Sequence, residues 1–301
     1  MKNVIVYILL AIFISSCGNS YEEQKRLTRA ERARLHREDS LALKLAVMPT
    51  LDCLPLFLVK EHVMYDTTKL DLRLRIFNAQ MDCDTAITGQ SVEGTISDVV
   101  RMERLKRKGY KINYWTSTNA YWQLIANKKA RVRRLAQLGD KMIAMTRYSA
   151  TDFLTDKALA GVKTSSTVFR IQVNDVNIRL SMILNNEMDA MWLSEPQATI
   201  ARNAGNNVIF DSRDKYQGLG VIVFRADLAS DKYRKKQISE LERAYNNACD
   251  SLNQYGLNKY ADVLTKYYKL TDRQVALLPK LQYNHVKQPQ TNILKVVVNS
   301  K

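Results

Sequence analysis

The sequence predicts an α/β fold of two lobes, each a small mostly parallel sheet flanked by helices, with a cleft between them. Two observations carry this. After about residue 42, short apolar runs of β type alternate with helical patterns, as consecutive βαβ units do. There is also an internal repeat: a shift of 97 residues lays Lys44-Leu45-Ala46-Val47-Met48 on Lys141-Met142-Ile143-Ala144-Met145. The same shift pairs Asp52 with Ser149, Leu72-Arg73 with Phe169-Arg170, and Ser97-Asp98 with Ser194-Glu195. Generic α/β spacing, or two halves of one doubly wound sheet, would produce similar matches; the expectation adopted is two lobes.

At the N-terminus, Lys2 precedes an uncharged apolar run from Val4 to Ile14 that ends in Ile14-Ser15-Ser16-Cys17. The run is short of the roughly 20 residues a spanning helix needs, and small residues before a cysteine suit a signal peptidase. Residues 1–17 therefore read as a lipoprotein signal peptide with its lipobox, and Cys17 as the lipidated first residue of an exported protein. Residues 18–41 are dominated by Glu, Arg, Lys and Gln without an apolar stripe, a charged tether that is either a helical spacer or a disordered linker. The first part of lobe I is expected over residues 42–130, lobe II over 131–214, and a return to lobe I with C-terminal helices over 215–301. Tyr110 to Ala130 leads out of the first lobe and Leu219 to Phe224 leads back. A long amphipathic helix then runs through Leu241 and Tyr245, followed by shorter ones around Tyr260 and Val275.

A formal charge of +16 would suit a nucleic-acid partner, but an exported protein meets little of it, so none is expected. The basic runs Lys25–Arg37, Arg101–Lys108 and Lys128–Arg134 are either solvated faces or face an anionic membrane. With Cys17 lipidated, three cysteines remain, too few for a disulfide scaffold. Cys53 and Cys83 start helices after adjacent strands and are expected close together, where this compartment allows a disulfide. His36, His62 and His285 have no ligand-like spacing, so no metal or other cofactor is expected.

Leu45-Ala46-Val47-Met48-Pro49-Thr50-Leu51-Asp52-Cys53-Leu54-Pro55-Leu56, with Ser97-Asp98, Ser149-Ala150-Thr151-Asp152 and Leu193-Ser194-Glu195-Pro196, resembles the periplasmic binding proteins of ABC importers. Within these it is similar to the branch for nitrate, sulfonates, taurine and thiamine-pyrimidine precursors, from Leu43 to the C-terminal helices. The resemblance implies the type II periplasmic-binding-protein fold, with a hinge of crossing segments, and partnership with a permease and an ATPase. Val63 stands where the family often has a glycine ending the first helix in a left-handed turn, so that turn is expected to be built differently. Ser194 and Gln197 depart from the family around Glu195-Pro196, so the solute class does not carry over.

Candidate ligand-binding residues lie at strand exits. Thr50 and Asp52 follow the first strand; Gln80 and Asp82 follow the second, with Asn174 at the matching place in the other half; Ser97 and Asp98 end the third. Thr146, Arg147, Tyr148, Ser149 and Thr151 surround a helix start able to hold a polar or anionic group. Ser149 with Asp152 also fits a capping box that needs no ligand. Asp98 and Glu195, equivalent by the repeat, would bring two carboxylates to one donor-rich solute, or else cap the helices that follow. Trp192 would stack on a heterocycle or sit in the core.

The function these readings favour is that of a monomeric, lipid-anchored substrate-binding protein that captures a small polar organic solute by hinge closure and is not an enzyme. Alternatives are an enzyme on the same fold, of the pyrimidine-precursor or menaquinone-pathway type, and a surface lipoprotein that interacts through its basic face. The lipobox argues against the enzymes, which work inside the cell. Since the thioether at Cys17 is the only strong attachment expected, Cys17→Ala should free the protein from alkali-washed membranes; persistent membrane association of the variant contradicts the anchor.

Overall fold

A computed structural model describes residues 29–299. The signal peptide, Cys17 and the tether up to residue 28 lie outside the described residues. Helix α1, Arg29–Leu41, belongs to a separate unit that ends at Ala42. It is polar all round, and its Arg34 and Glu38 form an exposed pair one turn apart, 3.6 Å. Among the described residues no helix is long and apolar enough to cross a membrane.

From Leu43 onward two five-stranded sheets form. The first contains β1 (Leu43–Val47), β2 (Leu72–Ile76), β3 (Gly94–Asp98) and β4 (Ile112–Ser117), joined by a late strand, β10 (Gly220–Arg225). The second contains β5 (Gln123–Ala126), β6 (Met142–Met145), β7 (Phe169–Gln172), β8 (Ala190–Leu193) and β9 (Asn207–Asp211). Their orders, β2-β1-β3-β10-β4 and β7-β6-β8-β5-β9, are the same topology twice. In each, three strands run parallel and one antiparallel strand, β10 or β5, lies between the third and the last.

The strand Gln123–Ala126 therefore belongs to the second sheet, not to the end of lobe I, and the expected boundary at residue 130 moves back. The chain crosses at Thr118–Trp122, because Leu124 and Ile125 are fully buried by pairing with β8 and β9. The repeat is also less uniform than one offset. Leu43 pairs with Leu72 and Met142 with Phe169, so the second strands stand 97 residues apart and the first strands 99. A slip of two keeps every side chain on its own face of the sheet. It makes Thr50, rather than Asp52, the counterpart of Ser149, and both occupy helix N-cap positions.

The first three strands of lobe I and the three parallel strands of lobe II each feed a helix: α2 (Leu54–Glu61), α3 (Gln80–Thr88) and α4 (Val99–Arg107) after β1, β2 and β3; α5 (Ala150–Leu159), α6 (Val176–Leu184) and α7 (Gln197–Asn203) after β6, β7 and β8. Leu54 to Val59 of α2 are all buried, and Phe57 stacks on Tyr267 at 4.4 Å. The expected long helix is α8 (Lys232–Tyr255), which buries Leu241, Ala244, Tyr245, Ala248 and Leu252 along one stripe. Three shorter helices follow, α9 (Ala261–Tyr268), α10 (Asp272–Ala276) and α11 (Thr291–Val298), the last not foreseen. Trp115 is core, edge-on to Phe224 and Tyr245.

One local expectation, at Val63, needs correction. Val63 does not change the turn after α2: it takes the left-handed conformation itself, φ 46°, a costly state for a β-branched residue. Cys53, Cys83 and Cys249 are buried free thiols, so no disulfide joins the first two. Burial pushes the Cys53 thiol up, with Asp52 adding to the effect and Cys83 close enough to contribute.

Two segments connect the lobes, Thr118–Trp122 and the stretch from Ser212 to Leu219, and they are laced together. Thr118 N–H donates to Gly220 C=O (2.9 Å), Trp122 N–H to Ser212 Oγ (2.9 Å) and Ser212 N–H to Trp122 C=O (3.0 Å). Gly220 permits this approach, since a Cβ there would overlap Thr118 Oγ1 and Ala120 Cβ.

Candidate functional site

A cavity of about 50 Å³ lies between the lobes, at the C-terminal ends of the parallel strands, where binding sites of open α/β sheets form. Lobe I contributes Thr50, Asp52, Gln80, Ser97 and Asp98, and the first crossing segment adds Ala120 and Trp122. Lobe II contributes Thr146, Ser149, Thr151, Val176, Arg179 and Ser194. That volume holds about one or two waters, so anything larger would fit only with the lobes farther apart. The walls already meet: Leu51 N–H donates to Glu195 C=O (2.9 Å), Val176 N–H to Asn78 C=O (3.1 Å), and Arg104 lies over the Tyr148 ring at 3.9 Å.

Each wall is built by its strand exits. On lobe I, Gln80 Nε2 donates to Ile96 C=O (2.9 Å) and Ser97 Oγ (3.3 Å), which fixes the end of β3. Asp98, the last residue of β3, accepts the Arg101 N–H at 2.9 Å as N-cap of α4. Asp52 Oδ2 accepts from the Thr118 hydroxyl at 3.1 Å, tying the wall to the hinge. On lobe II, Ser149 caps α5 and accepts Thr151 N–H (3.1 Å), while Asp152 reaches back to the N–H of Tyr148 (2.8 Å). The cap residues expected from the sequence are in place, with Tyr148 rather than Ser149 receiving the Asp152 carboxylate.

Six of the residues expected at the site do not line this cavity. Arg147 presents only its carbonyl, to Arg101 Nη1 (3.4 Å), and Tyr148 is half exposed beneath Arg104. Asp82 is exposed on α3, and Asn174 faces Gln172 (3.2 Å). Trp192 is wholly buried, its Nε1 donating to Thr155 Oγ1 at 2.8 Å. The buried Glu195 carboxylate accepts from the Tyr121 hydroxyl (2.7 Å), Arg202 (2.8 Å) and Thr199 N–H (3.0 Å). It thus serves the hinge and α7. Both repeat-related acids accept an N–H from the first turn of the helix that follows, Asp98 as its N-cap and Glu195 from just before the cap residue Pro196, and of the two only Asp98 lines the cavity.

Arg179 was not anticipated. Val176, Arg179 and Ile183 form the buried stripe of α6, and an arginine in the middle of such a stripe is the signal that could have found it. Its Nη1 donates to Trp192 C=O (2.8 Å), it forms no ion pair among the described residues, and its Nε has no partner. Burial lowers its pKa to about 10. The Thr146 hydroxyl, 2 % exposed, is likewise without a partner. Asp52 and Asp98 on one wall thus share the cavity with Arg179, Thr146 and the start of α5 on the other. Burial raises Asp52 and brings Asp98 up to about 6, against the lowering effects of Arg101 and of the N–H groups of Arg101 and Ala150.

No protein-family model and no curated protein matches the sequence. Solved structures do match. The alkanesulfonate-binding protein SsuA from Xanthomonas axonopodis pv. citri, bound to MOPS, is 14% identical with a TM-score of 0.72, over 85% of this chain and 90% of that one. A zinc-bound ligand-binding component of an ABC-type import system from Staphylococcus aureus is 15% identical, TM-score 0.69, over 85% and 89%. The periplasmic nitrate-binding protein NrtA from Synechocystis PCC 6803 is 16% identical, TM-score 0.66, over 78% and 68%. These neighbours are solute-binding proteins, and the chain has their two-lobed α/β fold; at such identities the likeness is one of fold.

Asp98 makes the site sensitive to pH. Its native pKa of about 6 lies above the unfolded value of 3.8, so the neutral acid is favoured in the fold. That contribution is complete below about pH 4 and is lost as pH rises through 6, an amount of about 3 kcal/mol for two units. Relative to Asp98→Asn, the wild type should lose stability in urea titrations between pH 4 and pH 7. Parallel curves for the two proteins would contradict it.

Proposed function

We propose that this chain is the substrate-binding protein of an ABC importer, exported, held to a cell-envelope membrane through Cys17, and closing its lobes as a monomer around a small polar organic solute for delivery to a permease and ATPase. One observation carries the reading: Arg179 and Thr146, whose Nε and hydroxyl have no partner, line the cavity together with Asp52 and Asp98. Buried polar groups left without partners cost about 1–3 kcal/mol each, a deficit that a ligand removes. The three fold neighbours named above, each a ligand- or solute-binding protein, support the same reading.

In this proposal the solute carries both kinds of group. Its acceptor end meets Arg179, Thr146 and the start of α5, and its donor end meets Asp98 and Asp52. Thr50, Gln80, Ser97, Ser149 and Thr151 complete the polar lining, and Trp122 gives it an aromatic side. A nitrogen-containing organic solute, of which an aminopyrimidine thiamine precursor is one example, satisfies both walls. Nitrate or a plain alkyl sulfonate satisfies one and meets two carboxylates on the other.

Arg179→Met tests the reading by thermal shift. A buried guanidinium that forms no ion pair among the described residues costs desolvation, so the variant without solute should melt no lower than the wild type. A bound solute at a hundredfold excess over its Kd stabilises the wild type by about 2.7 kcal/mol, and the variant should lose this. A panel of aminopyrimidines, amino acids, sulfonates and nitrate supplies the probes. Equal stabilisation of both proteins would exclude Arg179 from the site, and stabilisation by nitrate and plain sulfonates alone would exclude the organic solute.

A further inference from the structure

If solute binds in this cavity, as proposed above, the place best suited to a small anion is the start of α5. The helix has ten residues, its dipole and first N–H groups favour negative charge, and Thr146 and Arg179, whose hydroxyl and Nε are buried without a partner, line the same space. Arg179 and Thr146 are 6% and 2% exposed, so water does not compete freely for them. That place already has an acceptor beside it: Asp98, from the opposite lobe, lines the same small cavity as Ser149 and Ala150, the cap and first residue of α5.

We propose that Asp98 is a specificity-determining residue that excludes small oxoanions, because a carboxylate fixed to lobe I takes the anion's place on lobe II when the lobes close. Its position is enforced from behind. Asp98 ends β3, it is held by the Arg101 N–H, and Gln80 pins the two residues before it. The hydrogen bonds of the Arg101 guanidinium go to Asp84 and to the carbonyl of Arg147, so it offsets the charge of Asp98 only through space and leaves the carboxylate's own acceptor positions open. Being part of the chain, Asp98 competes at the high effective concentration of a tethered group. A free oxoanion would have to displace it and then lie beside its negative charge, with Asp52 in the same cavity. A solute with an N–H donor instead turns the carboxylate into a partner, so one residue rejects anions and accepts donors.

Isothermal titration of sulfate, nitrate and methanesulfonate into the full mature chain tests this. Asp98→Ser keeps an N-cap for α4 while removing the charge and most of the bulk. Asp98→Asn keeps the shape and removes only the charge. At least one of the three anions should bind each variant about tenfold or more tightly than the wild type, and adding Arg179→Met to Asp98→Ser should abolish the gain. Circular dichroism and melting establish which variants are folded, and the asparagine variant decides should the serine variant fail. No gain in a folded variant, or a gain that survives without Arg179, overturns the proposal. A wild type that binds no organic solute would count against the import reading alone, because the anion gain is measured with probes that do not depend on the natural solute.

Discussion

The structure depends on the double crossing of the chain between its two sheets. Each sheet needs an antiparallel strand from the far side of a crossing: β5 enters the second sheet directly after Thr118–Trp122, and β10 enters the first directly after the return from Ser212. Neither lobe completes its sheet unless both crossings lie side by side. The pairing of Trp122 with Ser212 and of Thr118 with Gly220 holds them there, and Glu195 braces the same place through Tyr121. The cavity follows from this geometry, since the C-terminal ends of both sets of parallel strands face each other across the hinge.

Much of the fold was legible because repeats of strand and helix leave a pattern that survives in one sequence. The strand exits were placed well enough that Thr50, Asp52, Gln80, Ser97, Asp98, Thr146, Ser149 and Thr151 all line the cavity. Two things escaped it. A short β run such as Gln123–Ala126 does not reveal which sheet it joins, because that is settled by pairing with distant strands. The two-residue slip between the first strands was hidden because an even slip leaves the apolar alternation unchanged.

The misplaced site residues share another cause. A strand exit gives the neighbourhood of a side chain but not its direction. Glu195 stands at the repeat's counterpart of Asp98, yet Arg202 and Tyr121 are near enough to take its carboxylate; Arg101, near Asp98, is taken by Asp84. Trp192 follows the same logic, with Thr155 waiting in the core for its indole N–H. Arg179 lies within a helix beyond a strand exit, and only the stripe it shares with Val176 and Ile183 marks it as buried. What distinguishes the cavity is polar atoms left over after the fold has satisfied the rest.

The central claim is that the two lobes close on a solute in this cavity. Electron–electron distance measurement between spin labels at exposed Arg107 in lobe I and Lys163 in lobe II tests it most directly; the described native cysteines are buried and leave the labels selective. With the mature protein first stripped of solute and then given a metabolite extract, the account predicts a shift to a shorter, narrower distance distribution, absent in Arg179→Met. An unchanged distribution in the wild type, or the same shift without Arg179, would contradict it.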